Sequence, residues 1–213
     1  MIQAVGLLSL GMCALVGFQT PCKQKPFRTT YAPALLVTGV WDATSECLPY
    51  VSRLVCTTQG KVVYRADPQV EFEFKKRLWP HVVPLQTGGY QVLLERNNRP
   101  SRNELLLLTV AGGQVVRKQV LPALNSPPRD VDGDGRLEYA GVRDYTEGLG
   151  DPTKSTYNPI LLYELRPQGW CLDTSATKQV NQTVWGQFYG FKANEKLVLK
   201  TPKKFATYLP NLE

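Results

Sequence analysis

Residues 105–121, LLLLTVAGGQVVRKQVL, decide the fold class of this chain. Residues 105–110 are apolar at nearly every position, which is typical of a strand that is covered on both faces. Ala111-Gly112-Gly113 then provides the positive φ angles that a tight hairpin turn needs. The chain returns as a second strand, so the stretch predicts a buried antiparallel hairpin.

The rest of the chain has the same character. Two further hairpins are predicted, over residues 54–66 around Gln59-Gly60 and over residues 160–172 around Pro167-Gln168-Gly169. Residues 70–75 alternate between apolar and charged side chains, which indicates a half-buried strand. No stretch shows the periodicity of an amphipathic helix. We therefore expect an all-β protein of antiparallel sheets, with a propeller-like or a sandwich-like arrangement.

Composition is that of a globular protein. The chain has 213 residues, of which 43% are hydrophobic and 20% charged, so one core is feasible. The formal net charge of +7 favours acidic partners, such as anionic polymers of the cell envelope. No helix-turn-helix, zinc-finger or RNA-binding motif is present, so we expect no nucleic-acid partner.

The N-terminal segment predicts export. Residues 1–21 carry no charged side chain, and the apolar run 4–18 has the length of a signal-peptide core rather than of a membrane span. Cys13 follows Met12 in a poor version of a bacterial lipobox, so a lipid anchor is an alternative, as is a buried N-terminal element. We expect a signal peptide or anchor over residues 1–21 and a single β-domain over residues 22–213. The protein would be periplasmic, outer-membrane-associated or secreted.

Four cysteines follow this segment, and four cysteines in an oxidising compartment allow three pairings. The turn-like sequence between Cys47 and Cys56 favours that pair, which leaves Cys22 with Cys171. The alternative is a set of buried, reduced cysteines.

The loop over residues 130–138, DVDGDGRLE, carries the clearest chemical signal. Calcium takes six to eight oxygen ligands from carboxylates and backbone carbonyls. Asp130, Asp132 and Asp134 alternate, so a curled loop can turn all three carboxylates inward. The carbonyl of Arg136 and the carboxylate of Glu138 would complete the shell. The predicted cofactor is one Ca²⁺ ion.

The loop does not have the pattern of an EF-hand. An EF-hand has a bidentate Glu at the twelfth loop position, and that position here is Gly141. Asp-x-Asp-x-Asp-Gly-x-x-Glu before a β-strand instead resembles the calcium-bearing hairpin loop of the FG-GAP/VCBS repeat family of integrin-type propellers and secreted bacterial proteins. The resemblance covers about 40 residues and implies a calcium-bound hairpin loop in which the ligands named above take part. The family's full propellers carry several such loops, whereas this chain has one.

A looser resemblance gives an alternative function. Some periplasmic proteins with propeller-like folds and one such loop inhibit lysozyme-type peptidoglycan hydrolases, and this chain is similar in size, in expected export and in its single loop. The resemblance implies a peptidoglycan hydrolase as partner. An acidic patch around Asp144, Glu147 and Asp151 would suit a cationic enzyme.

No catalytic constellation is found. His81 is the single histidine, and no Gly-x-Ser-x-Gly or Walker motif is present, so we expect no enzyme. The aromatic residues in 185–191 are interpreted as core and turn residues of a late strand pair rather than as a sugar-stacking platform; they are Trp185, Phe188, Tyr189 and Phe191. The sequence thus predicts an exported calcium-binding domain that acts as a binding or structural module of the envelope. Its partner would be a protein or an envelope glycan.

Overall fold

The computed structural model describes residues 24–31, 35–42, 50–74, 80–124, 126–143, 149–203 and 208. Within these ranges the chain is mainly β, as predicted, and every strand pairing is antiparallel. No helix in this part of the chain is long and apolar enough to cross a membrane. The elements are β1 (Gln24–Tyr31), β2 (Leu35–Asp42), β3 (Tyr50–Thr58), β4 (Lys61–Arg65), β5 (Phe72–Glu73), β6 (His81–Pro84), β7 (Tyr90–Arg96), β8 (Glu104–Ala111), β9 (Gln114–Leu124), β10 (Glu138–Val142), β11 (Lys154–Tyr157), β12 (Leu161–Arg166), β13 (Gly169–Leu172), α1 (Thr174–Trp185) and β14 (Asn194–Lys200).

Twelve of the described strands form one sheet. Its order is β1-β2-β3-β5-β7-β8-β9-β10-β12-β13, with β4 beside β3 and β6 beside β7, while β11 and β14 form a separate pair. All three predicted hairpins are confirmed as β3–β4, β8–β9 and β12–β13. The described pairings do not form a ring of blades. The strand predicted over residues 70–75 is shorter than expected, at Phe72–Glu73.

Strand β8 separates two parts of the core, which confirms the prediction that it is covered on both faces. Leu106 and Leu108 face a cluster built from the first half of the chain. Leu105 and Leu107 face the opposite way and pack with residues of β12 and β13, among them Trp170. Because successive side chains of a strand point to opposite faces, one apolar strand serves both clusters.

The expectation that the chain has no amphipathic helix is wrong. Helix α1 packs Ala176, Val180 and Val184 into a third cluster against β10 and β12. Asp173 caps its N-terminus, with its carboxylate accepting a hydrogen bond from the amide of Ala176, and Gly186 follows its C-terminus in the left-handed conformation. The helical spacing was hidden because Thr177 and Asn181 interrupt the apolar face.

These polar residues attach the helix to the sheet. The Asn181 side chain accepts a hydrogen bond from the Ile160 amide at 2.9 Å and donates one to the Ile160 carbonyl at 2.7 Å. The Thr177 hydroxyl accepts a hydrogen bond from the Leu162 amide at 3.0 Å. As a result, the first turn and the middle of the helix are held beside residues 160–162, where β12 begins. The late strand pair predicted over residues 185–191 is also wrong, since Trp185 ends the helix.

Candidate metal centre

The acidic loop closes on itself where it enters β10. The backbones of Arg129 and Glu138 pair through two hydrogen bonds, of 3.1 and 2.9 Å. Inside this closure, the Asp130 carboxylate accepts hydrogen bonds from the amides of Gly133, at 2.7 Å, and Gly135, at 3.0 Å. Both glycines have positive φ angles, of 81° and 85°, which side chains disfavour. The local sequence therefore curls the loop tightly around Asp130.

The loop brings together three of the five predicted ligand residues. Carboxylate oxygens of Asp130, Asp132 and Glu138 lie within 4.8 Å of one another. Asp134 is not in this group; its carboxylate accepts hydrogen bonds from the amide of Arg136 at 2.8 Å and from its guanidinium at 3.1 Å. Calcium binding by the Asp134 carboxylate and by the Arg136 carbonyl stays a prediction.

Glu138 is the buried member of the loop. Its side chain is among the buried polar groups, at 1% exposure, and its Oε2 accepts a hydrogen bond from the Val131 amide at 2.6 Å. Its Oε1 has no hydrogen-bond partner. Burial raises the pKa of this carboxyl; the Val131 amide opposes the shift, and the charges of Asp132 and Asp134 add to it. Placing this charge out of water is unfavourable unless something compensates it.

Two further carboxylates meet Glu138 from the sheet and the helix. Glu164 of β12 is directly opposite Glu138 of β10 in the strand register, and Asp173 caps α1. One oxygen of each of the three side chains lies within 4.8 Å of the others. Glu164 and Asp173 were not predicted from the sequence. A signal existed, because Glu164 has the same strand parity as the buried Leu162 and so faces the interior.

Two arginines approach these carboxylates. Arg166 forms an ion pair with Glu164, and its guanidinium is 3.8 Å from Asp173. The guanidinium of Arg136 is 3.6 Å from Glu164 and is shared with Asp134. The side chains that meet in these two groups offer carboxylate oxygens, which suit a hard divalent cation such as Ca²⁺. The unpartnered, buried oxygen of Glu138 fits such a group.

The other predicted groups are only partly in view. No disulfide joins Cys56 to Cys171, the two cysteines that the structure describes, and their predicted partners Cys47 and Cys22 lie outside the described residues, so both disulfides remain predictions. Burial raises the pKa of the Cys56 thiol to about 12. The signal peptide or anchor at residues 1–21, with Cys13, also lies outside the described residues.

The acidic patch predicted for a cationic hydrolase is not assembled by the described residues. Asp144 and Glu147 lie outside them. Asp151 accepts hydrogen bonds from the backbone and the hydroxyl of Thr153 and pairs with Lys154 at 3.6 Å. Its carboxylate is therefore engaged in its own turn.

Comparison of the chain with protein-family models, with curated proteins and with solved structures gave no match.

Proposed function

We propose that this chain is an exported calcium-binding β-domain of the bacterial cell envelope, in which the ion braces the loop 130–138 against the sheet. The observation that carries the proposal is the meeting of Asp130, Asp132 and the buried Glu138 within 4.8 Å at the entry to β10. The resemblance to the FG-GAP/VCBS hairpin loop supports the same ion. We also propose that the antiparallel sheets pack around this loop in a propeller-like or sandwich-like arrangement.

Bracing follows from where the ligands lie. Glu138 is the first residue of β10, inside the sheet, whereas Asp130 and residues 133–137 are exposed. An ion held from both ends would tie the exposed part of the loop to the sheet. Without an ion, two carboxylates about 4 Å apart repel by roughly 1 kcal/mol even in water. The ligands meet only when the chain is folded, so calcium binding would stabilise the native state and not the unfolded state.

Thermal unfolding tests the calcium site. With calcium at 100 times its dissociation constant, binding to the native state adds about 2.7 kcal/mol, which should raise the melting temperature by several degrees above that in chelator. Asp130→Asn and Asp132→Asn should reduce this rise, because each removes a carboxylate of the loop position. Circular dichroism melts in EDTA and in millimolar calcium measure it.

Asp151→Asn is the matched control, because it removes the same charge from an exposed turn outside the centre. Its calcium-dependent rise should equal that of the wild type. The same melting temperature with and without calcium in the wild type, or an unchanged rise in both loop variants, would refute the site.

A basic groove supports the binding role. Strand β4 and the first half of β9 line a surface groove of about 500 Å³, and its lining includes Arg65, Arg117 and Lys118 and no acidic residue. The Lys118 ammonium lies over the ring of Tyr64, 4.8 Å from its centroid. Together with the net charge of +7, this groove favours an anionic envelope glycan as the partner.

Co-sedimentation with purified anionic wall polymer tests the partner. The double variant Arg117→Gln/Lys118→Gln should lose most of the bound protein at low salt, because it removes two of the groove's charges. The control Lys178→Gln/Lys196→Gln removes two exposed charges elsewhere and should bind like the wild type. Equal losses in both double variants would show that net charge, and not the groove, governs binding.

A further inference from the structure

A buried carboxylate triad extends the centre beyond the loop. Glu138, Glu164 and Asp173 are 1%, 0% and 5% exposed, and one oxygen of each lies within 4.8 Å of the others. Glu138 and Glu164 occupy the side of the sheet that faces α1, the side on which Ala140 and Leu162 pack with the helix. Like charges directly opposite each other on neighbouring strands are destabilising. This arrangement therefore requires a compensating positive charge.

The described cations compensate the triad only in part. Arg166 contacts Glu164 and Asp173 from the edge, with 35% of its side chain exposed. Arg136 is 55% exposed and divides its charge between Glu164 and Asp134. The positive end of α1 is engaged by Asp173, whose Oδ1 accepts the Ala176 amide at 2.8 Å. Neither arginine forms an ion pair with Glu138 in the part of the chain that the structure describes.

Two carboxylate oxygens in this triad have no hydrogen-bond partner. They are Oε1 of Glu138 and Oε2 of Glu164, both on side chains that are at least 99% buried. The Arg136 guanidinium approaches Oε2 of Glu164 to 3.6 Å, whereas no described cation pairs with Glu138. A carboxylate oxygen buried without a partner is unfavourable by several kcal/mol at most sites, and native proteins rarely leave one so. The unpartnered oxygens belong to the pair of residues that face each other across β10 and β12. Oε1 of Glu138 has neither a hydrogen-bond partner nor a described ion pair, and it marks a position for a cation between the strands.

We infer that Glu138, Glu164 and Asp173 form a second divalent-cation position, which shares Glu138 with the loop position. All three donors are carboxylates, so the ion class is the hard, oxygen-loving one to which Ca²⁺ belongs. This inference rests on the proposed function in one respect only, which is that both cation positions use Glu138. Glu164 and Asp173 lie outside the loop motif and come from a different strand and from the helix cap. The second ion would join β10, β12 and α1.

Calcium stoichiometry tests the inference. Equilibrium dialysis with metal analysis on the whole chain should give two calcium ions per wild-type molecule. Glu164→Gln and, separately, Asp173→Asn should each give one. Asn retains the helix-capping acceptor, so Asp173→Asn preserves the start of α1. Asp130→Asn should also give one, because it removes the loop position and leaves the triad. Glu195→Gln, an exposed change of the same charge, should still give two.

The outcomes separate the two positions. One ion in the wild type that is lost in Asp130→Asn but kept in Glu164→Gln and Asp173→Asn would overturn the second position and leave the loop site standing. One ion with the opposite dependence would support the triad and remove the loop site. One ion lost in all three variants would mean a single centre and would also overturn the second position, as would no bound calcium at all. Far-UV circular dichroism of each calcium-free variant checks that it is folded.

Discussion

Glu138 and Glu164 face each other across β10 and β12 with almost no access to water. At an effective dielectric constant near 20, two charges at about 4 Å repel by about 4 kcal/mol, and Arg136 and Arg166 reduce that value. The pair therefore lowers the stability of the calcium-free protein. Residues that bind a cation commonly have this effect, because the arrangement that suits the ion is unfavourable without it.

Glu138→Gln should raise the free energy of unfolding in chelator, by about 1–4 kcal/mol, since it removes this repulsion. The Gln carbonyl can still accept the Val131 amide. Urea unfolding in EDTA measures the change, and the same variant should gain much less than the wild type from added calcium. Glu195→Gln serves as the exposed control. A calcium-free Glu138→Gln protein that is less stable than the wild type would contradict the repulsion.

The loop residues could be predicted from the sequence, but Glu164 and Asp173 of the triad could not. Asp130, Asp132 and Glu138 could be selected because their spacing within one short segment is itself the signal. Glu164 becomes a neighbour of Glu138 only when β12 pairs with β10, and that pairing is between strands separated in the chain. Its strand parity predicts burial, but not which residue lies opposite.

Among the elements, α1 depends on polar contacts as much as on its apolar face. Asn181 is fully buried and satisfies both backbone groups of Ile160. Asn181→Ala should lower the free energy of unfolding by about 2–6 kcal/mol, because two buried backbone groups lose their partners at roughly 1–3 kcal/mol each. Urea denaturation measures this loss.

Gln182→Ala is the control for that change, since residue 182 is the next position in the helix and is exposed. Its effect should stay within about 0.5 kcal/mol. If the two variants were equally stable, the contacts of Asn181 with Ile160 would not hold the helix in place.

The hairpins could be predicted and the helix could not, for a physical reason. A hairpin is specified locally, by glycines such as Gly112 and Gly113 that adopt positive φ between two β-prone runs. The face of α1 contains Thr177 and Asn181, and their burial is favourable only because β12 and its neighbours supply partners. Those partners lie outside the short segment of sequence from which a helix is predicted. The cap pair Asp173 and Gly186 was the remaining local signal.

For the whole molecule, the alternation along β8 predicts a single cooperative unit. Leu107 and Leu108 are adjacent, fully buried and belong to different clusters. Leu107→Ala and Leu108→Ala should each destabilise the protein by about 2–5 kcal/mol. Each variant should also retain one unfolding transition, because β8 contributes buried side chains to both clusters.

Tryptophan fluorescence and far-UV circular dichroism can follow that transition together. Trp170 lies in the cluster that includes residues of β12 and β13, and Trp41 packs against the cluster that is built from the first half of the chain. Coincident curves are expected for the wild type and for both variants. Separate midpoints for the two signals in either variant would show that the clusters unfold independently.

Because β8 is covered on both faces, it also determines where this chain can be cut or extended. A fragment that ends after β9 would retain Leu105, Leu107 and Leu121 but lose Leu161, Tyr163 and Trp170, which cover them. Such a fragment would present a bare apolar sheet face and should aggregate. The turn at Gly112 and Gly113 is different, since the space around both glycines is open. A tag or a new pair of termini placed in that turn would leave both faces of β8 covered.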